Sequence, residues 1–100
     1  MGTHLLVRED DSTLVVSGEI DMSTAGMLWV TINATFGPAE TARLDLSEIT
    51  FIDSSGISVL LRAAKERELR VTGASRQVQR VLDMAGLISV FGLGVGDDPG

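Results

Sequence analysis

One hundred residues are enough for a single domain with its own core, without disulfides or metals to hold it together. The absence of cysteine excludes a disulfide framework, a zinc–thiolate site and a thiol nucleophile. A formal net charge of −6 argues against a nucleic-acid partner, because phosphate backbones are bound by clustered Lys and Arg. No apolar run approaches the ~20 residues of a membrane span, and no basic and then apolar leader opens the chain. The sequence therefore reads as a soluble, cytoplasmic domain with no membrane partner.

In chain order, Leu5-Leu6-Val7 is a short apolar strand and Asp10-Asp11-Ser12 a turn. Thr13 to Ser17 is a β-branched second strand that pairs with the first as a hairpin. Gly18-Glu19-Ile20-Asp21 reads as a loop carrying two carboxylates. Ser23 or Thr24 then caps a helix whose apolar positions, Ala25, Leu28, Trp29, Ile32 and Phe36, recur at steps of three and four until Gly37-Pro38 stops it. Ala42 to Leu46 is the next strand. After a central segment, Thr50 to Ile57, an amphipathic helix buries Ile57, Leu60, Leu61 and Ala64. Its other side carries Ser58, Arg62, Lys65 and Glu66, with Arg62 and Glu66 one turn apart. Leu69 to Thr72 is a strand ended by Gly73. Ser75 caps a third helix, with Val78, Val81, Leu82 and Ala85 on one side and Gly86 as its left-handed end. Ile88 to Phe91 reads as a last strand, and the Gly-rich stretch 94–100 as a flexible tail after a domain spanning 1–93.

The order β-β-α-β-α-β-α-β predicts a single α/β domain with a mixed, largely parallel sheet and right-handed crossovers. In such a sheet the loops that follow the second and third strands open at the same, carboxyl edge, where α/β folds place their sites. Glu19 and Asp21 from one loop therefore meet Asp53-Ser54-Ser55-Gly56 from the other. Asp and Ser before an apolar periodic run are ordinary helix caps. A helix start also offers unpaired N–H groups and a favourable field for a phosphate carried by one of the serines.

Catalysis at this edge lacks its parts. A serine nucleophile needs a base beside it, and the single histidine, His4, sits near the terminus with no recognisable partner. Glu19, Asp21 and Asp53 are oxygen ligands of the kind magnesium or calcium takes, but their spacing matches no ligand set, and a solvated acidic rim is the plainer reading. There is no phosphate-cradling glycine loop with lysine and no dinucleotide fingerprint. The chain reads as a binding partner without cofactor or metal, not an enzyme.

Four segments in order, Gly18-Glu19-Ile20-Asp21, Leu44-Asp45-Leu46-Ser47, Phe51-Ile52-Asp53-Ser54-Ser55-Gly56 and Val81-Leu82-Asp83-Met84-Ala85-Gly86-Leu87, resemble the STAS domain of bacterial anti-sigma factor antagonists over roughly Leu5 to Phe91. The resemblance implies that Ser54 is a phosphate acceptor, with Ser55 the alternative, and that Glu19, Asp21, Asp53, Ser54, Ser55 and Gly56 belong to a partner-binding surface. It implies phosphorylation by an anti-sigma factor serine kinase with the histidine-kinase-like ATPase fold, and dephosphorylation by a PP2C-type phosphatase. The unphosphorylated form would bind the kinase and free the sigma factor. Asp53 would orient Ser54 for attack or act as a cap, and Ser55 is a second candidate cap. Related STAS domains also serve as scaffolds or as nucleotide- or lipid-binding modules in stress signalling and lipid transport. In that alternative Ser54 is only a helix cap. Family members usually carry a further helix where this chain has its Gly-rich tail.

Overall fold

The computed structural model describes residues 5–38 and 41–92. His4 and the proposed tail, 94–100, lie outside the described residues. Strands β1 (Leu5–Asp10) and β2 (Thr13–Ile20) form the expected antiparallel hairpin. Asp11 and Ser12 turn it with φ of 54° and 68°, both in the left-handed region that a two-residue type I′ turn demands. Helix α1 (Ala25–Phe36), strand β3 (Thr41–Ile52), helix α2 (Ser54–Glu66), strand β4 (Glu68–Ala74) and helix α3 (Arg76–Met84) follow. The sheet order is β1-β2-β3-β4, with β2–β3 and β3–β4 parallel. The α/β, mixed and largely parallel architecture is thus the one the sequence predicts.

Each parallel crossover carries a helix, and α1 and α2 pack on each other and on the strands they connect. The core is built by Leu14, Val16 and Ile20 of β2, Leu44, Leu46, Ile49 and Ile52 of β3, and Leu69 and Val71 of β4. Leu28 and Ile32 of α1, Leu60 of α2, and Val78 and Leu82 of α3 close over them. The alternate strand positions face the other way, where charged residues surround buried Val15. Arg8 and Glu48 pair across β2 at 3.1 Å, and Arg70 pairs with Glu68 at 3.1 Å. Arg43 is exposed beside them.

Four elements depart from the sequence reading. The segment Ile88–Phe91 is a run of turns, not a strand. It touches the sheet edge through one bond, in which the Val71 N–H donates to the Phe91 carbonyl (2.9 Å), while buried Phe91 plugs the core. Strand β2 runs on through Gly18–Ile20, and β3 runs on to Ile52, where loops were expected. The reason is two bulges. Val15 to Ser17 on β2 is matched by Asp45 to Glu48 on β3, and Gly18 to Glu19 by Ile49 to Phe51, so β3 carries an extra residue at each place. Buried Leu46, Ile49 and Ile52 are therefore spaced by three, and strand alternation is lost from the sequence. Gly18, with φ of 110°, lies between the two shifts, in a conformation that favours glycine. On α2, Leu61 is 37% exposed, and Gly56, Val59, Leu60 and Ala63 make the buried face instead. Arg62 does not pair with Glu66, which is held by Arg67.

Candidate functional site

The ends of β2 and β3 are in register, Ile20 beside Ile52. The Asp53 N–H donates to the Ile20 carbonyl (3.2 Å) and ties the two following loops together. The structure thus brings Asp21 and Asp53-Ser54-Ser55-Gly56 to one end of the sheet, with Glu19 beside Phe51 one register step back.

Asp53 is the cap of α2. Its backbone is extended (φ −123°, ψ −167°), and its Oδ1 accepts from the N–H of Ser55 (2.8 Å) and of Gly56 (3.4 Å). The carboxylate is thereby turned onto the backbone, so it does not orient the Ser54 hydroxyl, and Ser55 is capped instead of capping. Gly56 is buried, and a Cβ there would lie 2.7 Å from Ile20 Cγ2 and 2.7 Å from Ile52 Cγ1. Only glycine lets the helix start sit directly on the two strand ends.

Ser54 is the first residue of α2. It is exposed, and its hydroxyl has no hydrogen-bond partner among the described residues. Its Oγ is neither a cap nor part of the core. Ser55 is half-buried behind it.

The neighbouring loop is fixed by Thr24, which is only 7% exposed. Its hydroxyl donates to the Glu19 carbonyl (2.7 Å) and accepts from the Asp21 N–H (3.0 Å). Thr24 occupies the cap position of α1, but its side chain makes no cap bond to the helix. It anchors the end of β2 instead. Asp21 Oδ1 accepts from the Ser23 N–H (2.9 Å) and hydroxyl (2.7 Å), and its carbonyl accepts from the Ala25 N–H (2.8 Å). Met22, 83% exposed, stands at the tip. With Asp21 and Asp53 each spent on local N–H groups, the three acids do not assemble as ligands. Among the described residues no group of three or more His, Cys, Asp or Glu is placed to hold a metal ion. Among them, too, no helix is long and apolar enough to cross a membrane.

Thr24 was not singled out as a site residue by the sequence. A hydroxyl at a helix start gives no sign that it faces backward to a strand.

A mixed four-stranded sheet with crossover helices and a serine-bearing helix start at its carboxyl edge is a STAS-type α/β domain. A family model described as Mlab, STAS domain matches residues 5–92, and the chain belongs to that family. Among solved structures it is similar to an anti-sigma factor antagonist from Mycobacterium paratuberculosis. The identity is 30% and the TM-score 0.73, over 92% of this chain and 85% of that one. The fold is also that of the anti-sigma factor antagonist SpoIIAA in its unphosphorylated form, at 22% identity and a TM-score of 0.66 over 84% of this chain and 82% of the other.

Proposed function

We propose that this chain is a phospho-regulated anti-sigma factor antagonist, and that Ser54 carries the switch. One observation supports the reading most: the Ser54 hydroxyl is exposed and uncommitted while its neighbour Asp53 does all the capping. A serine kept only as a cap would hold the helix N–H groups itself. The likeness to the Mycobacterium paratuberculosis antagonist supports the class of partner.

In its unmodified form the domain binds an anti-sigma factor serine kinase of the histidine-kinase-like ATPase fold, and the sigma factor is released. Transfer of phosphate to Ser54 Oγ adds about −1.5 to −2 charge at a helix start flanked by Asp53, with Asp21 and Glu19 on the adjoining loop and strand end. A docked surface matched to a neutral hydroxyl then meets repulsion and a desolvation cost, which reduces affinity by roughly 100-fold. The phosphate stands at the positive end of α2, which tolerates it, so docking is lost without unfolding. A PP2C-type phosphatase resets the switch in the cytoplasm, with Ser55 the only alternative acceptor on the loop.

The test is to incubate the chain with each anti-sigma factor kinase of its source organism and Mg-ATP, and to map phosphate by mass spectrometry. The proposal expects one phosphate on Ser54 and none on Ser54→Ala. Absence of phosphate with every kinase, while the same kinases modify their own antagonists, would reject it.

A further inference from the structure

Helices α1 and α2 lie against each other, and each has exposed residues on its outward side. On α2, Ser54, Ser58, Leu61 and Lys65 follow at steps of four, three and four, a single helical stripe, and all four are exposed. On α1, Val30 is 64% exposed. Between the two helices lies half-buried Trp29, with the Arg62 guanidinium over its ring, 4.1 Å from the centroid.

Beyond the acidic start of α2 at Asp53, charge on this surface has one sign. Helix α1 holds no charged residue at all. The one carboxylate of α2, Glu66, is engaged by Arg67 at 3.2 Å. Among the described residues no carboxylate pairs with Arg62 or Lys65, although the chain as a whole is acidic. Stacking on an indole restricts a guanidinium while leaving its N–H edge available, so the entropy of ordering it for an incoming carboxylate is already spent.

We propose that this α1–α2 surface receives the regulatory partner, and that the partner presents an acidic amphipathic helix. Apolar side chains of that helix cover Val30 and Leu61, its carboxylates meet Arg62 and Lys65, and one end of it reaches Ser54. The inference rests on the reading of the chain as an antagonist and adds the chemistry of what it binds. An acidic occupant also accounts for the direction of the switch, because a phosphate on the same stripe repels carboxylates that the bare hydroxyl admits.

The test measures affinity for whichever anti-sigma factor binds the wild-type chain. The double variant Arg62→Glu, Lys65→Glu is expected to bind at least ~10-fold more weakly, and to lose much of the salt dependence seen with the wild type. The double variant Arg43→Glu, Arg80→Glu, with the same net charge but altered on the opposite sheet face and on α3, is expected to stay within about threefold. Lys65→Glu alone, at an exposed position without a described partner, gives a smaller loss in the same direction and guards against misfolding through loss of the Trp29 stack. Unchanged binding by Arg62→Glu, Lys65→Glu, with Ser54→Asp still weakening the complex, would overturn this surface and leave the antagonist reading intact. A screen in which no anti-sigma factor binds the wild-type chain would overturn both.

Discussion

The close fit of α2 on the strand ends predicts opposite outcomes for the same substitution in two helices. Gly56 is the third residue of α2 and Gly26 the second of α1. A Cβ at Gly26 meets nothing within 4 Å, whereas one at Gly56 falls 2.7 Å from both Ile20 Cγ2 and Ile52 Cγ1, about 0.7 Å short of ordinary contact at 3.4 Å. Ile20 is 0% exposed and Ile52 2%, so neither side chain has room to retreat. Overpacking of this kind costs about 1–3 kcal/mol, which offsets and exceeds the gain of up to ~1 kcal/mol that alanine brings to a helix. Gly56→Ala should therefore lower Tm by several degrees, at roughly 4–8 °C per kcal/mol for a domain of this size. Gly26→Ala should leave Tm unchanged or raise it. Urea unfolding of the three proteins, followed by circular dichroism, reads both effects as shifts in midpoint at constant slope. Equal stabilities for Gly56→Ala and wild type would show that α2 does not start flush on the strand ends, and the placement of Ser54 would go with it.

Asp53→Ala removes the acceptor for two backbone N–H groups and should cost about 1 kcal/mol. Ser54→Ala, at an exposed and unbonded hydroxyl, should stay within ~0.5 kcal/mol; thermal melts compare the two, and a reversed ranking would return Ser54 to a capping role. Thr24→Val keeps the shape but leaves the Glu19 carbonyl and Asp21 N–H without their 2.7 Å and 3.0 Å partner, a loss of about 1–3 kcal/mol. Hydrogen exchange should show it as faster opening at Asp21 and Ala25. Ser12→Gly relieves a left-handed residue with a side chain at φ 68° and should raise stability by about 1 kcal/mol. An unchanged melting temperature there would contradict the type I′ turn.

The helices were legible because their signals are local. Ser75 accepts from the Val78 N–H at 3.2 Å, and Gly86 takes φ 74°, as the cap residues promise. The pairing of the β2 and β3 ends was legible from topology, since parallel strands open their following loops at the same edge. What the sequence hid depends on contacts between distant segments. The bulges opposite Ser17 and Glu19 erase the two-residue period of β3, so its second half looks like loop. Leu61 satisfies helical spacing as well as Val59 does, and only the placement of α2 on the sheet decides which of them is buried. Ile88–Phe91 has the composition of a strand, yet its backbone reaches β4 at a single residue and its burial comes from Phe91 alone. At the site, the division of labour between Asp53 and Ser54 was equally hidden. Either residue type caps a helix, and geometry gave that task to the carboxylate.

The most direct measurement pairs affinity with fold on one sample. The chain phosphorylated stoichiometrically at Ser54 is titrated against its anti-sigma factor beside the unmodified chain, and both are then melted. The account predicts a drop in affinity on the order of 100-fold with coincident melting curves. Equal affinities would contradict a switch at this hydroxyl, and a phosphorylated chain that melts early would mean that binding is lost through the fold instead of through charge at its surface.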